Sequence, residues 1–204
     1  MKTKMVKSKS AKATKEVALT AVLSAAYAAA IMLVIIPSPT GGYTQIGDFV
    51  VFVAALLFGS RVGGSVGVIG AVAVDLFTGY PRWFVSIPAH FLEGFVPGLM
   101  KNKPFALKVV GCIIGGFLMA TTYFLVNIYI KGLALAVVSY ARDLFVQAGV
   151  SIILALTVVK TVKKVLPQAA GFRTPPSILM ETEECKRLGI GGLHTLGLTI
   201  PTTY

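Results

Sequence analysis

The stretch VALTAVLSAAYAAAIMLVII, residues 17–36, decides the class of fold: it carries no charge over 20 residues, and Pro37-Ser38-Pro39-Thr40-Gly41-Gly42 then breaks it. About 20 apolar residues in a helix span the hydrocarbon of a bilayer. Inside lipid the backbone must satisfy its own hydrogen bonds, so such a block is a helix or part of a closed barrel. Ala26-Tyr27-Ala28 would suit a signal-peptide cleavage site, but the apolar run continues to Ile36, longer than a usual signal core. Outward from it the same alternation recurs. Apolar blocks at 46–58, 62–77, 83–100, 106–130 and 133–159 are separated by short charged or Gly/Pro-rich breaks. A membrane barrel would instead alternate apolar and polar residues in segments of about 10. The reading is an all-α membrane protein with six transmembrane helices in a compact bundle, although the 13 residues of 46–58 suit a re-entrant segment as well as a span.

Composition agrees, with 55% of residues hydrophobic and only 13% charged, against roughly 25% charged in soluble domains. The net charge of +11 does not point to nucleic acid, because the cations sit in the gaps between apolar blocks, where an anionic inner leaflet attracts them. With six spans both termini share one side. Placing them in the cytoplasm puts Lys2, Lys4, Lys7, Lys9, Lys12, Lys15, Arg61, Lys101, Lys103, Lys108, Lys160, Lys163 and Lys164 inside and only Arg82 and Lys131 outside, as the positive-inside rule requires. The chain thus divides into a basic cytoplasmic N-terminus (1–16), a transmembrane domain (17–164) and a polar cytoplasmic tail (165–204) expected to be disordered. No internal repeat supports an inverted-repeat transporter.

Intramembrane polar residues are costly and normally face a cavity or a partner. Here they gather in the outer half: Asp48, Asp75, His90, Glu93, Tyr123, Asn127, Arg142, Asp143 and Gln147. That pattern predicts a pocket open to the outside and sealed beneath; a channel needs polar lining throughout. Gly63, Gly67, Ala71 and Asp75 recur every four residues, which aims Asp75 into the bundle along a face of small residues. Asp143, Gln147 and Ser151 form a second stripe, and Ala21, Ala25 and Ala29 a third. Each residue has a plainer reading. Asp75 can accept hydrogen bonds from the turn at Gly79-Tyr80. Glu93 can pair with Arg142, His90 can be a packing histidine, and Tyr80 and Trp83 can belong to an interfacial aromatic belt. The alanine stripe can pack against the protein's own helices.

Several chemistries find no motif. Gly59-Ser60-Arg61-Val62-Gly63-Gly64-Ser65 has glycines but no phosphate-binding lysine, so the chain is not expected to hydrolyse ATP. No Ser-His-Asp set and no His-Glu-x-x-His occurs. Cys112 and Cys185 are read as free thiols, with neither a disulfide nor a metal site, and no cofactor is expected. Two rivals to a binding role remain: a membrane scaffold whose polar residues pair internally, and an intramembrane enzyme using His90 and Glu93.

The series Gly42-Tyr43-Thr44-Gln45-Ile46-Gly47-Asp48, Ala54-Ala55-Leu56-Leu57-Phe58-Gly59, Gly67-Val68-Ile69-Gly70, Asp75-Leu76-Phe77-Thr78-Gly79-Tyr80 and Phe91-Leu92-Glu93-Gly94 resembles the S components of energy-coupling factor (ECF) transporters. The similarity covers roughly residues 17–164. It implies a six-helix plasma-membrane subunit that captures a vitamin or precursor from outside and joins a membrane coupling subunit and two cytoplasmic ATPases. It also implies that the face of Ala21, Ala25 and Ala29 docks the coupling subunit and that residues 37–45, Tyr43 among them, form a lid. The substrate-binding residues expected are Tyr43, Asp75, Tyr80, Trp83, His90, Glu93, Asn127, Arg142 and Gln147. In this scheme Tyr80 and Trp83 stack on a heteroaromatic ring, while Glu93, Asn127, Arg142 and Gln147 hold its polar edges. Flavin, pyridoxine and hydroxymethylpyrimidine types all stay open. One departure is Ala89-His90-Phe91 where relatives often carry a lysine before the Glu-Gly pair; another is the tail.

Overall fold

The computed structural model describes residues 2–38 and 42–165. The tail assigned above lies outside these, apart from its first residue. Helix α1, Lys2–Leu33, holds the first apolar block only as far as Leu33, with Ile36 in the strand that follows, and continues N-terminally through the lysine-rich segment. A hairpin follows where the sequence predicted only a break. Strand β1, Ile36–Pro37, pairs antiparallel with β2, Tyr43–Thr44. Proline fits there because the pairing is two residues long and needs few N–H donors.

Helix α2, Asp48–Phe58, has 11 residues and rises only about 16 Å, roughly half a hydrocarbon core. Its apolar residues are buried by other helices rather than offered to lipid: Val51, Phe52, Ala54, Ala55 and Leu56 are fully covered. Gly59, at φ +103°, turns the chain sharply into α3, Ser60–Thr78. Then come α4, Trp83–Leu99, and α5, Phe105–Lys131. The last rod is α6, Leu133–Arg142, a π-helical segment Asp143–Ala148, and α7, Gly149–Val165. Among the described residues, four helical stretches are long and apolar enough to cross a membrane: Ala13–Leu33, Ser60–Thr78, Phe105–Lys131 and Leu133–Val165. The chain is an all-α membrane protein.

The small-residue stripe of α3 sets the tightest packing. A Cβ on Gly67 would stand 2.4 Å from the His90 carbonyl oxygen, and one on Gly63 would stand 2.7 Å from the Gly94 carbonyl oxygen. The α3 and α4 backbones therefore touch, and Asp75, four residues beyond Ala71, is carried into the bundle. Helix α1 is two-faced. Ser24, Tyr27 and Ile31 are buried against α2 and α3, while Ala21, Ala25 and Ala29 lie on the exposed face.

Candidate functional site: a lidded pocket above a buried His–carboxylate cluster

A cavity of about 50 Å³ lies beneath the hairpin. Its walls come from every helical rod except α2, together with the lid. Of the expected binding residues, Tyr43, Asp75, Tyr80, His90, Asn127, Arg142 and Gln147 line it. Two do not. Glu93 is fully buried one layer down, against His90. Trp83 is 40% exposed at the start of α4, its ring edge-on to Phe84 at 6.3 Å. That placement fits the aromatic-belt reading of Trp83 rather than stacking in the pocket. The pairing of Glu93 with Arg142 does not occur either: Glu93 meets His90, and Arg142 meets Asp143.

The upper part of the pocket is held by the lid. The Tyr43 hydroxyl donates to Asp75 Oδ1 at 2.6 Å, and Ser86 donates to Oδ2. Burial, and then the bond to Asp75, push the Tyr43 phenol well above its usual range, so it stays a donor. The turn after α3 uses the Asp75 backbone carbonyl, at 2.7 Å from Tyr80 N, and leaves the carboxylate to these side chains. Arg142 donates to Asp143 Oδ1 through Nε at 2.9 Å and Nη2 at 2.6 Å, and its Nη1 reaches Ser38 of the lid. Arg82 donates to Asn127 Oδ1 at 2.9 Å and lies 5.1 Å from the Tyr80 ring centre. Tyr43 and Tyr80 meet edge to face at 5.8 Å.

The floor is built on Asp48, at the first turn of α2. Its Oδ1 accepts from Tyr27 at 2.7 Å and Gln45 at 2.5 Å, and its Oδ2 from Gln147 at 2.8 Å. His90 Nδ1 lies 2.7 Å from Glu93 Oε2 and 3.7 Å from Asp48 Oδ1. His90 Nε2 lies 3.3 Å from the Tyr123 hydroxyl, which is 2.6 Å from Ser86. These contacts order the protons. Ser86 spends its hydrogen on Asp75, so it accepts from Tyr123, and Tyr123 then accepts from His90 Nε2–H. One chain of bonds therefore runs from the floor to the lid carboxylate. Gln147 reaches Asp48 from the π-helical segment, a distortion frequent at functional sites.

Sequence reasoning mapped Asp48, Tyr123 and Asp143 as intramembrane polar residues without choosing them as site residues. It passed over Tyr27 and Ser86, and counted Gln45 only as the end of the lid and Lys131 only as an outside charge. Tyr27 had a signal: with Ser24 and Ile31 it forms the face of α1 opposite the alanine stripe. Ser86 had none, since a serine amid apolar residues is common in such helices.

A family model described as ECF-type riboflavin transporter, S component, matches residues 11–164. The chain belongs to that family. A relative from Pyrococcus woesei, an uncharacterized protein in the gap 3' region, is 33% identical over 127 residues, covering 60% of this chain and 84% of that protein. As an S component this chain is a plasma-membrane, substrate-binding subunit of a vitamin transporter and not an enzyme. The enzyme reading of His90 and Glu93 and the scaffold reading are set aside on that ground.

Proposed function

We propose that this S component takes a flat heteroaromatic vitamin, riboflavin first among the candidates, from the outer face of the membrane into the cavity under the lid. The observation that carries the reading is the lid itself. Hairpin residues Ser38 and Tyr43 are bonded to pocket residues Arg142 and Asp75, so opening the hairpin and opening the pocket are one event. A 50 Å³ cavity holds only a few waters, and a flavin enters only if the lid and Tyr80 move outward. The aromatic walls Tyr43, Tyr80 and Tyr123 then flank a ring system whose polar edges meet Asn127, Gln147 and Arg142.

Six membrane-embedded helices with both termini in the cytoplasm follow from the charge bias, with α2 shorter than the bilayer and enclosed by its neighbours. The exposed face of Ala21, Ala25 and Ala29 suits close approach by the coupling subunit, and two cytoplasmic ATPases supply the energy this chain has no motif to provide. Riboflavin titrated into the purified chain, followed by quenching of flavin fluorescence, tests the substrate. Saturable quenching with one site per chain supports it. Displacement of flavin by pyridoxine or hydroxymethylpyrimidine at lower concentration would reassign the substrate, and failure of all three to bind would overturn the vitamin reading.

A further inference from the structure

The mechanism of capture uses the upper pocket, and leaves the floor unexplained. Asp48, His90 and Glu93 are 0%, 4% and 0% exposed. Among the described residues, no lysine or arginine lies within ion-pair distance of either carboxylate. Two buried oxygens there have no hydrogen-bond partner. One is Glu93 Oε1; the other is Oε1 of Gln45, whose amide nitrogen is already on Asp48. A buried acceptor without a donor is costly and calls for an explanation.

The bond chain sharpens the problem. Because Asp75 accepts at its far end, the neutral His90 ring carries its proton on Nε2 and presents the Nδ1 lone pair to Glu93 Oε2 at 2.7 Å. Two acceptors then face one another unless a proton or a cation lies between them, with the Tyr27 hydroxyl 3.3 Å from the same Nδ1.

We propose that Asp48, His90 and Glu93 bind a divalent first-row transition cation at the floor of the pocket. Each offers one ligand atom, and the three atoms lie within 4.8 Å of one another. Ligand atoms at about 2.0–2.2 Å from an ion stand roughly 3–3.7 Å apart; the 2.7 and 3.7 Å from His90 Nδ1 lie close to that range, and the two carboxylate oxygens, within 4.8 Å of each other, would close on the ion. One imidazole with two carboxylates suits such cations better than calcium or magnesium, which favour all-oxygen sites. The surroundings behave as outer-shell support. Tyr123 orients the imidazole, and Gln147 and Tyr27 orient Asp48. His90, Tyr27, Gln45 and Gln147 all line the cavity, which gives the ion a way in. The cation would tie α2 to α4 beneath the vitamin.

The test needs no vitamin, so its failure would leave the vitamin reading standing. The untagged full chain in detergent is stripped with chelator, dialysed against Zn²⁺, and assayed for bound metal. Co²⁺ replaces Zn²⁺ for an absorption spectrum. The expected result is one tightly held Zn²⁺ per chain, a Co²⁺ band of nitrogen and oxygen ligation, and affinity lowered at least about 10-fold in His90→Asn and Glu93→Gln. Metal binding should persist in His194→Ala, which removes the other histidine of the chain. The wild-type stoichiometry and spectrum decide the matter should those floor variants fail to fold. Wild-type chain that retains no metal would overturn the proposal and leave a proton, on His90 or on Glu93, between the two groups. Stoichiometric metal lost on His194→Ala would overturn it too.

Discussion

The two ends of the pocket contrast in how they treat a buried carboxylate. At the lid end Asp75 receives hydroxyl donors on both oxygens, from Tyr43 and Ser86. At the floor Glu93 has one oxygen on His90 and the other unserved. The donor from Tyr43 belongs to the hairpin, so that bond can be broken and remade as the lid moves. Apart from Gln45 at the end of the lid, the floor is built from α1, α2, α4 and the π-helical segment, buried within the bundle. A carboxylate satisfied by a donor on a movable element is a latch. An unsatisfied one in a fixed shell is a site waiting for positive charge.

That contrast can be broken most severely at Asp48. Asp48→Ala strands three buried neutral donors, Tyr27, Gln45 and Gln147, each costing about 1–3 kcal/mol when left unsatisfied, seen as a large fall in the thermal unfolding midpoint in detergent. Gly67→Ala pushes a methyl group to within 2.4 Å of the His90 carbonyl oxygen. Separating α3 from α4 should cost about 1–3 kcal/mol in the same assay. At the lid the effect should shift from stability to binding. Tyr43→Phe removes one donor to Asp75; a bond to a charged group is worth about 1.5–3 kcal/mol, so vitamin release from beneath the lid should quicken about 10-fold, with a fall in the unfolding midpoint smaller than that of Asp48→Ala. Trp83→Ala should do least. Its ring is outside the cavity, and both affinity and stability should stay within about 0.5 kcal/mol of the parent.

Much of the fold was legible because lipid imposes a simple rule: apolar blocks of sufficient length, broken by glycine, proline and charge. The four-residue spacing from Gly63 to Asp75 foretold the face that meets α4, and the crowding of polar residues in one half foretold the pocket. Three things were hidden. The lid hairpin pairs Ile36 with Thr44 and Pro37 with Tyr43, a contact too short to show as alternation. The floor joins Tyr27, Asp48, His90 and Gln147, far apart in sequence and brought together only by packing. In sequence Trp83 pairs with Tyr80 as a stacking aromatic, yet the turn Pro81-Arg82 lies between them and leaves the tryptophan 40% exposed at the start of α4.

The central claim is that the outer cavity is a vitamin site, and native mass spectrometry of the gently purified full chain, from cells grown in rich medium or supplied with riboflavin, tests it most directly. The expected spectrum shows one small molecule of vitamin mass per chain, lost in Asn127→Ala. A spectrum of bare chain, before and after addition of riboflavin, pyridoxine and hydroxymethylpyrimidine, would contradict it.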